Sequence, residues 1–213
     1  MTKIILSLET KESLDIIPYL GKYIDGVKIN HLLWNELDFD VEEGKELFVD
    51  FKLWDTPNTV KTVVERIIKK GGTMTTISTF NNEKVFDELE QYKDDIKLLA
   101  VTYLTSWNRD EQYQICREMP DFMWRRHLSR VKGFYGVVCS AQDIGMLSGA
   151  DKSLKRVCPG ITYGNNNSGQ VRTTTPKEAQ DLGADYIVIG RAITESENPL
   201  ETLKQIRNSP ITQ

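Results

Sequence analysis

Eight short apolar runs, separated by segments with helical spacing, constrain this chain more than any other feature. The runs cover residues 4–8, 26–29, 47–51, 74–77, 98–101, 136–139, 154–158 and 186–189. Between them apolar residues recur three and four apart, as in Val60, Val63, Val64, Ile67 and Ile68, or Leu200, Leu203 and Ile206. Nearly continuous apolar strands joined by helices build a parallel sheet covered on both faces. Eight such units predict an α/β fold of the closed (β/α)8 TIM-barrel type. A typical barrel needs about 250 residues, so a chain of 213 must use short loops. The rival is an open doubly wound sheet, which carries a Gly-rich turn after its first strand. Ser7-Leu8-Glu9-Thr10 has no glycine. No linker or shift in composition interrupts the pattern, so residues 1–213 are expected to form a single domain. The polar stretch Asn165-Asn166-Asn167-Ser168-Gly169 reads as a mobile loop.

Composition excludes several classes of function. With 27 basic and 31 acidic residues the net charge is −4, which argues against broad binding to nucleic acid or a membrane surface. Three scattered cysteines are too few for a disulfide framework, and they form no zinc pattern with the two histidines. The apolar stretch before Glu9 is too short for a signal peptide or a span, which needs roughly 20 residues. A soluble cytoplasmic protein is expected.

In a barrel, functional groups gather at the C-terminal ends of the strands. Along Leu47-Phe48-Val49-Asp50-Phe51-Lys52-Leu53-Trp54-Asp55 the two-residue period puts Asp50 and Lys52 on one side and Val49, Phe51 and Leu53 on the other. The apolar set must pack against helices, which aims Asp50 and Lys52 into the mouth. Asp55 and Thr59 follow in the next loop, and Lys28 comes from the neighbouring strand. Alternating lysines and carboxylates hold ammonium groups charged and fixed where water is excluded. That arrangement suits stabilising and protonating a carbanion, with lysine as general acid. A set of strand-end ion pairs is the plainer alternative, but buried ion pairs are costly and seldom kept for stability alone.

A second feature lies at the last strand. Ile189-Gly190-Arg191 combines a glycine that lets backbone approach a ligand, a helix start with free N–H groups, and a charged fork suited to phosphate. Pro159-Gly160-Ile161-Thr162 and the loop reaching Gln170 follow the seventh strand, and phosphate sites between strands seven and eight are common in barrels.

Together these residues resemble the orotidine 5′-monophosphate decarboxylase family. Asp50-Phe51-Lys52-Leu53-Trp54-Asp55-Thr56-Pro57-Asn58-Thr59 is similar to its Asp-x-Lys-x-x-Asp-Ile-Pro-x-Thr signature, with Thr56 in place of Ile. Val27-Lys28-Ile29-Asn30, Leu104-Thr105-Ser106, Val137 to Gln142, Pro159-Gly160-Ile161 and Ile189-Gly190-Arg191 resemble further stations in order. The resemblance implies decarboxylation of orotidine 5′-monophosphate to UMP without metal or organic cofactor. It implies Lys52 as proton donor to C6, and Lys28, Asp50, Lys52 and Asp55 as the charge network. Asp55 and Thr59 would reach into a partner's site in a homodimer. Thr105 and Ser106 would face the pyrimidine. Gln170, Gly190 and Arg191 would hold the phosphate, with residues 164–170 closing over it. Glu9 stands where the family usually has a ribose-binding Asp, Thr162 where an arginine often follows Pro-Gly-Ile, and Ser78 where many members have histidine. Glu9 and Thr162 bear on ribose contacts and phosphate affinity rather than on the chemistry.

Two rivals remain. Metal-dependent sugar-phosphate barrels share the Asp-x-Lys-x-x-Asp stretch but usually carry an acidic residue where Lys28 stands. A catalytically dead barrel acting as a nucleotide-binding module would need decay at the charged network, and all four charged positions are intact. Elsewhere, Phe122, Met123, Trp124 and Leu128 read as helix packing, and Arg125-Arg126-His127 as a solvated helix face.

Overall fold

The apolar runs become strands because β-branched and aromatic side chains fit a pleated surface buried on both sides. A computed structural model describes residues 2–35, 42–117, 120–131, 133–149, 153–164 and 172–208. Its strands are β1 (Lys3–Ser7), β2 (Gly26–Ile29), β3 (Glu46–Leu53), β4 (Met74–Ser78), β5 (Lys97–Val101), β6 (Gly136–Val138), β7 (Lys155–Cys158) and β8 (Tyr186–Ile189). Neighbours pair in parallel in chain order, and β8 pairs back onto β1 with Tyr186 opposite Lys3. The sheet is a closed barrel, as the alternation of runs predicts.

Among the described residues the helices are α1 (Ile17–Leu20), α2 (His31–Trp34), α3 (Pro57–Lys69), α4 (Glu83–Leu89), α5 (Arg109–Cys116), α6 (Pro120–Leu128), α7 (Pro176–Asp181), α8 (Arg191–Thr194) and α9 (Pro199–Asn208). None is long and apolar enough to cross a membrane. Sequence sets their ends. Pro57 and Pro176 sit at first-turn positions, where a missing N–H costs nothing. Asn108 with Glu111, and Thr175 with Glu178, form reciprocal capping boxes. The predicted stripes pack inward: Val60, Val64 and Ile67 of α3 and Leu203 and Ile206 of α9 are buried.

The two-residue period sorts each strand into two cores. Ile5, Phe48, Met74, Leu99, Val157, Tyr186 and Val188 fill the barrel interior, while residues of opposite parity such as Leu6, Val27, Val49, Ile77 and Ile187 meet the helices. At the N-terminal end buried Glu46 accepts from Lys97 and, at 2.8 Å, from Thr73, and the Tyr135 and Tyr186 hydroxyls meet at 2.7 Å. Polar groups at that face serve stability.

Two expectations on α6 need correction. Arg125 and Arg126 are exposed, but His127 is buried, its Nδ1 2.9 Å from Thr79 Oγ1 and its ring 4.7 Å from that of Phe80. Phe122, expected to pack, is 70% exposed. Helical period explains both: Met123, Trp124, His127 and Leu128 share the buried face, whereas the run of charge obscured it. The expected loop at 165–169 lies outside the described residues.

Candidate active site

The site begins with an irregularity in β3. Val49 lies opposite Thr75 and Leu53 opposite Ile77, so Asp50, Phe51 and Lys52 together oppose Thr76 alone. Within this bulge Lys52 adopts φ +50°, a left-handed backbone that costs a non-glycine residue on the order of 1 kcal/mol. Such bulges re-aim side chains beside active sites. Here Lys52 Nζ donates to Asp50 Oδ1 at 2.8 Å, and Lys28 Nζ of β2 lies 3.5 Å from Asp50 Oδ2. The Asp50 and Lys28 side chains are 13% and 14% exposed, that of Lys52 41%. Burial pushes the Asp50 carboxyl up, yet the Lys28 and Lys52 ammoniums and a hydrogen bond from Thr76 outweigh it and hold the group below its ordinary value.

These three side chains line a cavity of about 310 Å³ at the C-terminal mouth, within the range of small-molecule sites. Ser7 and Glu9 line it after β1, Thr105 and Ser106 after β5, Pro159 and Gly160 after β7, and Gly190 and Arg191 after β8. Gly160 takes φ +79°, a conformation glycine adopts without strain. A Cβ on Gly190 would sit 3.3 Å from the Ser7 Cβ, so a bare backbone keeps β1 and β8 close at this rim. The opening turn of α8 follows at once, where backbone N–H groups favour an anion. Lys28, Lys52 and Arg191 outnumber Glu9 and Asp50, so the lining carries one excess positive charge.

The remaining predicted residues separate from this set. Asp55 and Thr59 are exposed and outside the lining of their own chain's cavity, so one chain holds three members of the expected four-charge array. Thr162 is half-buried and also outside the lining, its N–H donating to Thr174 O at 3.0 Å. Ser78 closes β4 and accepts from the Phe80 N–H at 3.3 Å. Gln170, and residues 165–170 of the expected closing loop, lie outside the described residues. Among the described residues no group of three His, Cys, Asp or Glu side chains could hold a metal ion.

Sequence reasoning missed the polar residues behind the lining. Thr76 and Asn81 bond to the β3 segment, and a β4 run reading Thr75-Thr76-Ile77-Ser78-Thr79 was the available signal. Tyr103, on the lining, was also missed. Its hydroxyl accepts from Trp124 Nε1 at 2.9 Å and donates to Asp143 Oδ2 at 3.1 Å. Arg172 grips Asp143 through two nitrogens at 2.7 and 2.9 Å. Burial and the Asp143 charge push the Tyr103 hydroxyl up, so it stays protonated as a donor. The network ties the fifth-strand rim to the segment after the seventh loop.

A closed parallel barrel with ionisable side chains converging at the C-terminal ends of its strands is a TIM barrel built as an enzyme. The family model described as orotidine 5′-phosphate decarboxylase / HUMPS matches residues 2–206. Orotidine 5′-phosphate decarboxylase of Wolbachia pipientis subsp. Culex pipiens is 35% identical, the match covering 98% of this chain and 99% of the relative. The enzyme of that name from Dictyoglomus turgidum is 33% identical over 94% of this chain and 90% of its own. A crystal structure of orotidine 5′-phosphate decarboxylase from Lactobacillus acidophilus superposes with a TM-score of 0.74 at 27% identity, covering 97% of this chain and 98% of that one. The chain belongs to the orotidine 5′-phosphate decarboxylase / HUMPS family.

Proposed function

We propose that this chain, as one barrel domain, decarboxylates orotidine 5′-monophosphate to UMP with no metal or organic cofactor. The observation that carries the reading is a buried carboxylate, Asp50, held between Lys28 and Lys52 at the rim of a cavity with a net positive lining, in a chain of this family. The bond from C6 to the carboxylate breaks, CO₂ leaves, and the electron pair stays on C6. The Lys52 ammonium passes a proton to that carbon and is itself reprotonated from water. Fixed positive charge at the developing carbanion lowers the barrier because it needs no reorganisation. Asp50 orients both ammoniums, and its charge stands near the departing carboxylate.

Arg191, Gly190 and Gln170 bind the phosphate, Thr105 and Ser106 the pyrimidine, and Glu9 the ribose, with Thr162 nearby. The active species is a homodimer in which Asp55 and Thr59 complete the partner's site. Three features support this: Asp55 and Thr59 are exposed outside their own cavity, Trp54 beside them is 71% exposed, and Leu32, Phe80 and Leu104 follow neighbouring strands at the same end, at 62%, 39% and 36% exposure. Mixing purified protein with orotidine 5′-monophosphate tests the reading: ultraviolet absorbance should change as UMP accumulates, equally with and without EDTA. A flat trace refutes the activity, and loss of the change under EDTA favours a metal-dependent member of the same superfamily.

A further inference from the structure

We propose that Thr76 is a positioning residue for the reaction: its hydroxyl joins the left-handed backbone of Lys52 to the Asp50 carboxylate and so fixes where the Lys52 ammonium stands. The inference rests on the reading of Lys52 as proton donor.

Thr76 is fully buried and absent from the cavity lining, so it acts only through its neighbours. It lies opposite the three-residue bulge of β3. The Lys52 N–H bonds there to a side chain: it donates to Thr76 Oγ1 at 2.8 Å. The same hydroxyl donates its proton to Asp50 Oδ1 at 2.9 Å. Asp50 Oδ1 in turn accepts from Lys52 Nζ at 2.8 Å. Three hydrogen bonds therefore close a ring that holds one lysine at both ends, its amide and its amine. A backbone with φ +50° at a lysine persists only where the surroundings over-determine it, and this ring is the restraint at that position.

The chemistry needs a donor and acceptor in one small group on a stiff stem. A threonine has both, with χ1 restricted by its branched Cβ. Valine keeps the shape and loses both bonds. Thr75 cannot substitute, because its side chain faces the helices and donates to Val49 O at 2.9 Å. A misplacement of about 1 Å in a reacting group can cost roughly 100-fold in rate, so loosening the ring should appear in turnover and leave ligand affinity nearly intact.

The test compares Thr76→Val, Thr76→Ala, Thr76→Ser and Lys52→Ala with the unaltered chain by kcat, KM for orotidine 5′-monophosphate and affinity for UMP. Val and Ala should lower kcat about 10- to 100-fold with KM and UMP affinity within about threefold, and Ser should recover kcat to within about fivefold of the unaltered chain. If Val fails to fold by circular dichroism, the Ala and Ser pair carries the same comparison. Turnover of Val or Ala within about threefold of the unaltered chain, or Ser as impaired as Ala, overturns the proposal. Lys52→Ala separates the two ideas: inactive Lys52→Ala beside normal Thr76→Val removes only the positioning role, whereas active Lys52→Ala removes the reading beneath it.

Discussion

Asp50 is an anion held between two ammonium groups, and that environment sets its response to acid. Its carboxyl sits below the ordinary value when folded, so its ionised form favours the folded state above the unfolded range of about 4. The contribution is lost as pH falls through the folded value. Asp50→Asn should therefore flatten the acid limb of stability, read as urea midpoints between about pH 2 and 6 (about 2 units either side of an ordinary carboxyl), and should also abolish turnover. An unchanged acid limb would show that other carboxylates govern it. At the affinity positions, Thr162→Arg should lower KM several-fold with kcat within about twofold, because a guanidinium can reach the phosphate rim from the seventh loop. Steady-state kinetics with no change in KM would contradict this. Lys28, Asp50 and Lys52 were legible in the sequence because strand parity and charge alternation do not depend on tertiary detail. The left-handed backbone of Lys52 and the role of Thr76 were not, because both follow from how β3 and β4 register.

That register is the main device at the element scale. β3 loses ladder partners across its bulge, and β4 with the loop after it replaces them with side chains. Thr75 serves Val49 O and Thr76 the Lys52 N–H, while Asn81 donates to Leu53 O and Ser78 O at 2.8 Å each and accepts from the Asp55 N–H at 3.2 Å. Asn81 is 2% exposed, so truncation strands buried groups. Asn81→Ala should destabilise the fold by about 3 kcal/mol, near 1 per bond lost, measured by urea unfolding. A loss under about 1 kcal/mol would mean that water or repacking replaces the amide. The eight strands were readable from apolar runs to within a few residues at each end. The bulge was not, since nothing in Asp50-Phe51-Lys52 distinguishes a bulged strand from a regular one. On α6 the arginine pair masks, in the sequence, the i, i+3, i+4 face that buries His127.

At the scale of the whole molecule, Asp55 is exposed and outside the lining of its own chain's cavity, and the proposed homodimer would make the oligomer part of the chemistry. Mixing equal amounts of Lys52→Ala and Asp55→Ala chains should restore about a quarter of full activity. Half the dimers would be mixed, and one of their two sites would hold both intact residues. Activity that stays at the level of the separate variants would place Asp55 with its own chain. Closed barrel topology was legible from the count and order of runs, whereas the proposed contribution of a partner is implied only by family resemblance, because no single-chain pattern encodes it. The most direct test of the whole account is the turnover of Lys52→Ala under conditions where its UMP affinity is retained. A general acid contributes about 100- to 10,000-fold, so kcat should fall at least that far. Turnover within about tenfold of the unaltered chain would contradict proton delivery by Lys52.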